Sequence, residues 1–303
     1  MEAAAEPAAE PYVYEYAVPL AFPASQEAAF AALTEEKALE TWFADAVVID
    51  PKVGGPYRFW GKSVLDTRLE AQATQRVTAI APDASLSFSW RVLGRDSEVT
   101  WLVAKEGDAQ SRITVRHEFP SLPEGARMKE MIDDLWRLNT GNLFLYLMGD
   151  ERIFRPDLND PNPVVRLEIV INAPPAKVFA ALIEPDQIRK WFPAPAPSVE
   201  PKVGGDYGFG FSFEKEGKKI EVPPMKIVEF EQDRRLAITW PDWRMNPDVP
   251  DQKVAWTLKA LPGGKTKLTL VHDGFTRALD VSDYPFGWTE FLDKIGQVAA
   301  GEI

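Results

Sequence analysis

The side chains best suited to acid–base chemistry in this sequence are its two histidines, His117 and His272. Each ends a run in which apolar and polar residues alternate, Ile113 to His117 in one case and Leu268 to His272 in the other. Strand alternation places each imidazole on the face of its apolar neighbours, so both are predicted to point inward. An inward imidazole could anchor a ligand or transfer a proton in a cavity. It could also be a core histidine that is hydrogen-bonded to a nearby carbonyl or hydroxyl.

Large aromatic side chains accompany the histidines in both halves of the chain. Aromatic rings combine apolar area with a few hydrogen-bonding tips, which suits a pocket for a flat or apolar ligand. The alternative is that the rings fill the interior completely and leave no cavity. With the histidines and one helical leucine, the candidate cavity residues are Trp42, Tyr57, Phe59, Trp90, Trp101, His117, Leu135, Trp191, Tyr207, Phe209, Trp240, Trp256, His272 and Trp288.

Other catalytic and metal-binding patterns are not found in the sequence. It has no Ser-His-Asp order, no phosphate-cradling glycine loop and no dense cluster of His, Asp and Glu. The absence of cysteine excludes disulfides, thiolate zinc sites and cysteine nucleophiles. The two histidines lie in different halves of the chain, so they cannot build a metal site within one domain. We therefore predict no assigned catalytic residue, no metal and no cofactor.

Charge and hydropathy narrow the classes of partner. The formal net charge is −12, and Lys and Arg are scattered, which argues against binding to nucleic acid or to an anionic membrane. No apolar run approaches the roughly 20 residues that a membrane-spanning helix needs. Residues 1–11 are rich in Ala, Glu and Pro and do not resemble a signal peptide. We expect a cytoplasmic protein without membrane insertion, because the lack of cysteine is also compatible with a reducing compartment.

The elements that would position these residues occur twice, because the sequence is a tandem repeat. FAAL at 30–33 recurs at 179–182, WF at 42–43 recurs at 191–192, and PKVGG at 51–55 recurs at 201–205. A repeat of this length can close its own core. Pro156, Pro161 and Pro163 mark a linker between the copies. We predict a flexible tail at 1–11, a domain at 12–150, a linker at 151–163 and a second domain at 164–303.

Each copy reads as a strand, two short helices, a series of antiparallel strands and one long helix. Pro174 and Pro175 suit the first turn of a helix. The glycine pairs at 54–55 and 204–205 suit a turn that needs positive φ. Tyr207, Phe209, Phe211 and Phe213 alternate after the second pair and are predicted to line one face of a strand. This order predicts an α+β fold in which a curved antiparallel sheet wraps around a long C-terminal helix.

The ordered motifs resemble one known family. They are the segments 178–182 and 191–192, then 203–207, 236–240 and 254–256, and finally 270–275 and Gly287-Trp288. Together they resemble the Hsp90-ATPase-activator-homologue branch of the START-like superfamily, also called SRPBCC. The first copy is similar but diverged, since Glu118 stands where the second copy has Asp273-Gly274. The resemblance implies two tandem helix-grip domains, each enclosing an apolar cavity.

The resemblance leaves three functions open because this scaffold supports many activities. The first is binding, sequestration or transport of a small hydrophobic molecule in the cavities. The second is a co-chaperone-like module whose partner is a chaperone or another protein. The third is an enzyme that acts on a hydrophobic substrate in one cavity, with His117 or His272 as acid or base.

Overall fold

Secondary structure runs through the same order twice along the chain. The structure is a computed structural model that describes residues 11–121, 126–215, 218–246 and 248–303. Of the predicted tail, only Pro11 falls within these ranges. The strands and helices of the first copy are β1 Tyr12–Ala17, α1 Gln26–Thr34, α2 Glu36–Trp42, β2 Ala46–Ile49, β3 Tyr57–Trp60, β4 Val77–Ala81, β5 Ser85–Val92, β6 Arg95–Gly107, β7 Gln110–Phe119 and α3 Ala126–Met148.

The second copy repeats this order with a more divided set of strands. A short 3-10 helix at Ala278–Val281 precedes its long helix. Its strands and helices are β8 Val165–Ile171, α4 Pro175–Ile183, α5 Pro185–Trp191, β9 Ser198–Val199, β10 Asp206–Gly208, β11 Ser212–Lys215, β12 Lys218–Glu221, β13 Met225–Glu231, β14 Arg235–Trp240, β15 Gln252–Leu261, β16 Lys265–Asp273 and α6 Tyr284–Ala300.

The strands of each copy form an antiparallel sheet. The first sheet has the order β1-β7-β6-β5-β4, and β2 pairs with β3 separately. The second sheet has the order β8-β16-β15-β14-β13-β10-β9, and β11 pairs with β12 separately. Strand β7 lies between β1 and β6, and β16 lies between β8 and β15. His117 on β7 is paired with Val99 on β6, and His272 on β16 is paired with Val254 on β15. Both histidines are therefore on interior strands.

The long helices place a buried apolar stripe against their sheets. In α3 the stripe includes Ile132, Leu135 and Trp136, and in α6 it includes Trp288 and Leu292. Apolar residues three and four positions apart share one face of a helix, which accounts for this stripe. The chain therefore has the predicted α+β class, with two tandem helix-grip domains.

The two glycines of the repeated pair are required for different reasons: the first has positive φ, and the second has no space for a side chain. Gly54 and Gly204 have φ of 81° and 80°, and a Cβ would meet nothing there within 4 Å. The second glycine of each pair lacks space instead: a Cβ on Gly205 would lie 2.2 Å from the carbonyl oxygen of Glu200, and one on Gly55 would lie 2.2 Å from that of Asp50. Positive φ, predicted for the pair, is thus confined to the first glycine.

The aromatic strand predicted from Tyr207 to Phe213 is interrupted in the structure. Strand β10 ends at Gly208 and β11 begins at Ser212. Between them Gly210 has φ of 76°, and a Cβ there would come within 2.5 Å of the carbonyl oxygen of Ala196. The chain therefore turns at Gly210, which separates the buried rings of Tyr207 and Phe209 from the more exposed Phe211 and Phe213.

The Cα positions divide the chain into two compact units. The first contains Met1–Asp160 with Arg277–Phe286, and the second contains Pro161–Thr276 with Gly287–Ile303. That the predicted segments 12–150 and 164–303 each fold independently stays a prediction.

Candidate functional site

His117 is completely buried and both of its ring nitrogens are hydrogen-bonded. Nε1 of Trp136 lies 3.1 Å from Nδ1 of His117. An indole N–H can only donate, so Nδ1 accepts and carries no proton. The neutral ring then has its proton on Nε2, which donates to Oγ of Ser97 at 2.8 Å. The Ser97 hydroxyl donates in turn to the carbonyl oxygen of Trp90 at 2.6 Å, so this chain of hydrogen bonds is complete.

His272 repeats the arrangement with one change of partner. It is also completely buried, and Nε1 of Trp288 donates to its Nδ1 at 3.0 Å. Its Nε2 therefore carries the proton and donates to Oε1 of Gln252 at 2.7 Å. Serine in one copy and glutamine in the other both supply an oxygen acceptor, so the same tautomer is fixed twice.

Burial keeps both imidazoles neutral. Loss of hydration lowers the pKa of His117 to about 3 and that of His272 to about 3. A general base needs a lone pair directed at the substrate, and a general acid needs a pKa near the working pH. The lone pair of each imidazole instead accepts a hydrogen bond from an indole N–H. This geometry matches the core-histidine alternative of the sequence analysis, with side-chain partners on both nitrogens.

Trp136 is a site residue that the sequence does not predict, since the predicted residue in this part of α3 is Leu135. Leu135 is buried, at 2% exposed, but it is Trp136 that bonds the histidine. Comparison of the two copies could have identified Trp136, because it takes the position on the long helix that matches the predicted residue Trp288.

Four more of the predicted residues fasten the first short helix of each copy to the next helix and to a following strand. Nε1 of Trp42 donates to the carbonyl oxygen of Ala32 at 3.0 Å, and the Tyr57 hydroxyl donates to that of Leu33 at 2.7 Å. Both acceptors lie in the last turn of α1, where backbone carbonyls lack helical partners. In the second copy, Trp191 and Tyr207 make the same bonds to the last turn of α4, at 2.8 Å and 2.7 Å.

The predicted aromatic side chains of the first domain are buried. Their rings are in contact: Phe59 lies 5.2 Å from Trp90, and Trp101 lies 5.2 Å from Trp136, between ring centroids. Trp90 is 2% exposed and its Nε1 donates to Oγ1 of Thr67 at 3.3 Å. The fold brings these rings together and they pack against one another; that they line a ligand cavity stays a prediction.

The second domain has an aromatic group that reaches the surface. Phe209 is buried and lies 4.0 Å from Phe192 and 6.1 Å from Trp240, between ring centroids. Phe192 lies 4.9 Å from Phe291, and Phe211 lies 6.2 Å from Phe209. Phe192, Trp240 and Phe291 are half-buried, and Phe211 is 36% exposed. We call Phe192, Phe211, Trp240 and Phe291 the outer aromatic group.

The buried end of this aromatic region contains an unpaired donor. Trp256 is completely buried and lies 5.8 Å from Trp288, between ring centroids. Its Nε1–H donates to no acceptor among the described residues. Leaving a buried donor unpaired costs about 1–3 kcal/mol, so an acceptor brought to this position would be stabilising.

A cleft in the first domain involves none of the predicted residues. It has a volume of about 760 Å³ and is lined by Gly61, Lys62, Val64, Leu65, Asp66, Arg68, Leu69, Gln72, Thr74, Arg91, Gly94, Leu158 and Asn159. Most of these follow β3 in the connection to β4, and the others are Arg91 near the end of β5, Gly94 in the β5–β6 turn and the segment 158–159. No sequence motif joins these segments, so repeat comparison did not find them.

The described part of the chain contains neither a metal-binding cluster nor a membrane-spanning helix. No group of three or more His, Asp or Glu side chains there is placed to hold a metal ion. Over the same ranges, no helix is long and apolar enough to cross a membrane.

Comparisons with known proteins agree with the repeat. Residues 23–146 and 172–300 match the family described as Activator of Hsp90 ATPase homolog 1-like protein. No curated protein is significantly similar to the chain. CV1439 from Chromobacterium violaceum is a similar solved structure, 26% identical, and the match covers 45% of this chain and 96% of that chain with a TM-score of 0.36.

Two further solved structures are similar at lower identity. DynU16, from the dynemicin biosynthetic locus, is 16% identical over 95% of this chain and 96% of its own, with a TM-score of 0.39. The Aha1 dimer from Colwellia psychrerythraea is 17% identical over 45% of this chain and 94% of its own, with a TM-score of 0.34.

Proposed function

The chain belongs to the family of Activator of Hsp90 ATPase homolog 1-like proteins, and from this premise we propose that it binds a small hydrophobic molecule at the outer aromatic group of its second domain. The helix-grip scaffold of this family is compatible with ligand or protein partners. The proposal therefore rests on the chemistry of this particular group of side chains.

The observation that carries the proposal is the different exposure of matching rings in the two copies. Trp240 is half-buried, whereas its counterpart Trp90 is 2% exposed. Phe192 is half-buried, whereas its counterpart Phe43 is 5% exposed. The same fold can thus close these rings off, and the second domain leaves them accessible.

Accessible rings that continue into a buried aromatic core favour a flat apolar ligand. Such a ligand could stack on Phe211 or Trp240 while staying in contact with the buried Phe209, and aromatic pairs of this kind contribute about 0.5–1.5 kcal/mol beyond area burial. The neutral histidine of the same domain fits this picture as a structural group, because both its nitrogens are already bonded.

Binding of a neutral fluorescent probe tests the proposal. N-phenyl-1-naphthylamine is flat, apolar and uncharged, and its emission rises in an apolar site. We expect saturable binding to the full chain. Phe211→Ser should weaken binding roughly 5- to 30-fold, because about 1–2 kcal/mol of aromatic contact is lost.

Phe213→Ser is the matched control, since Phe213 is 47% exposed and makes no ring contact with another described aromatic side chain. The control should bind the probe like the natural chain, and thermal melting should confirm that both variants are folded. Equal loss in the two variants, or no saturable binding by the natural chain, would refute the assignment to the outer aromatic group.

A further inference from the structure

We propose that the cleft in the first domain is a second, separate binding site, for a small molecule that has an apolar body and one anionic group. This site is independent of the outer aromatic group, because its lining residues all belong to the first compact unit. Its volume of about 760 Å³ lies within the range of roughly 300–1,000 Å³ that is usual for small-molecule sites.

The cleft lies outside the space between sheet and long helix. No residue of α3 lines it, and neither does any of the aromatic residues predicted as cavity residues. Its walls are instead the long connection from β3 to β4, the β5–β6 turn and the segment at 158–159. A ligand here would not compete with the packing of Trp90, Trp101 and Trp136.

Hydrogen bonds hold the walls of the cleft in place. The backbone N–H of Leu158 donates to the carbonyl oxygen of Lys62 at 2.9 Å. The Arg68 guanidinium donates two bonds to the Asp157 carboxylate, at 2.7 Å and 3.0 Å. This bidentate pair lowers the pKa of Asp157 to about 2, chiefly through the hydrogen bonds from Arg68. The segment at 157–159 is thereby fastened to the β3–β4 connection.

The opposite wall is fixed through Asp66. Its carboxylate accepts a hydrogen bond from the backbone N–H of Leu93 at 2.6 Å. Asp66 and Leu93 have φ of 54° and 53°, a region that non-glycine residues rarely occupy. Two such residues joined beside one cleft indicate a wall whose shape is specified by the fold, since strained positions persist only where the surroundings hold them.

Apolar side chains form the floor and one rim. Val64 and Leu65 are 5% and 8% exposed and lie at the bottom. Leu158 is half-buried, and Leu69 is 63% exposed. A leucine left so exposed at the edge of a cleft provides area that an apolar ligand body would cover.

The polar lining is basic in a strongly acidic protein. Lys62, Arg68 and Arg91 carry three positive charges against the single carboxylate of Asp66, whereas the whole chain has a formal net charge of −12. Arg68 is paired with Asp157 and Arg91 with Asp96. Asp157 also attracts Lys62 electrostatically, but the Lys62 ammonium forms no hydrogen bond or ion pair with any described residue. Lys62 is therefore the cation available to an anionic ligand.

The second domain uses the matching stretch of chain differently. After β10 it forms the β11–β12 hairpin, with Phe213 paired to Ile220. The residues that line the basic cleft in the first copy therefore have no structural equivalent in this hairpin.

Calorimetric titration with octanoate and 1-octanol tests the proposal in the full chain. The two ligands share an apolar body and differ in the charged group. We expect saturable octanoate binding that Lys62→Met weakens roughly tenfold, because a charge-assisted hydrogen bond is lost. Lys62→Arg should retain most of the affinity, and the affinity for 1-octanol should be the same in all three chains.

Lys37→Met is the matched control, because Lys37 is exposed, forms no ion pair and does not line the cleft. It should leave octanoate binding unchanged. Leu69→Ser should weaken octanoate and 1-octanol alike, and Phe211→Ser should affect neither. The proposal is overturned if the two lysine-to-methionine variants lose the same affinity, or if octanoate binding is not saturable. Failure of the naphthylamine test alone would leave this site standing.

Discussion

Stability between pH 7.5 and pH 5.0 should fall because of the two buried histidines. They are the only histidines in the chain, and both are completely buried. Most carboxylates stay ionised and Lys and Arg stay protonated over this interval, so imidazole protonation dominates the difference between the folded and unfolded chain. The geometry of His117 and His272 can therefore be tested by a simple change of buffer.

The sign and size of the effect follow from the pKa values. Burial lowers the folded-state pKa of each histidine to about 3, whereas the unfolded value is about 6.5. Below pH 6.5 the unfolded chain binds protons that the folded chain does not, so the free energy of unfolding decreases with falling pH until about pH 3. From pH 7.5 to pH 5.0 the loss is about 2 kcal/mol for each histidine.

Urea unfolding at several pH values measures this loss. We expect His272→Gln to fold, because glutamine is polar and does not titrate, and to show about half of the natural chain's pH dependence. Long-range proton–nitrogen NMR gives an independent check. Each of the two imidazoles should show a protonated Nε2, and neither should titrate between pH 7.5 and pH 5.0 in the folded protein.

Two outcomes would refute this reasoning. One is a folded-state imidazole signal that titrates near pH 6.5, which would mean that the ring is hydrated. The other is a His272→Gln variant that retains the full loss of stability on acidification. In either case the hydrogen bonds from the two tryptophans would not describe the protein in solution.

Three further predictions concern the repeated structural residues and the domain boundary. Gly204→Ala should lower the free energy of unfolding by about 1–2 kcal/mol, because alanine is strained at positive φ. Gly205→Ala should lower it more, because its Cβ would collide with the carbonyl oxygen of Glu200. Equal losses in urea titrations would contradict this collision. Tyr57→Phe and Tyr207→Phe should each lower the free energy of unfolding by about 1–3 kcal/mol, because a buried backbone carbonyl loses its hydrogen-bond donor. A difference between the two variants in thermal melts would show that the two copies are not equivalent. Residues 164–303 expressed alone should melt cooperatively, and a broad non-cooperative transition would place the boundary elsewhere.

Much of the fold was predictable because repeated local patterns specify it. The alternation in 113–117 and 268–272 predicted the inward histidines correctly, since burial on one face of a strand follows from a period of two. The partners of the histidines were harder to predict. Trp136 and Ser97 come from α3 and β6, and only the three-dimensional packing brings them to the two nitrogens of His117.

The accessible sites could not be predicted from the sequence. Trp90 and Trp240 occupy matching positions, and their different exposure depends on what the neighbouring connection covers. The cleft of the first domain joins Lys62 to Leu158, residues that are far apart in the chain and carry no motif. Comparison of the two copies emphasises what they share, so it does not find residues such as Lys62 that belong to no repeated motif.

The bond between each long-helix tryptophan and its histidine also sets the rotational phase of that helix. Turning a helix by one residue rotates it by about 100° and shifts it by about 1.5 Å. An apolar stripe excludes so large a turn but tolerates smaller rotations better than a directional bond does, because it packs without fixed donors and acceptors. Trp136 and Trp288 can each donate to Nδ1 of their histidine in only one rotational orientation of the helix. The hydrogen bond therefore fixes how each long helix is aligned with its sheet. Both copies keep this hydrogen bond, whereas the exposure of the nearby rings of Trp90 and Trp240 differs between them.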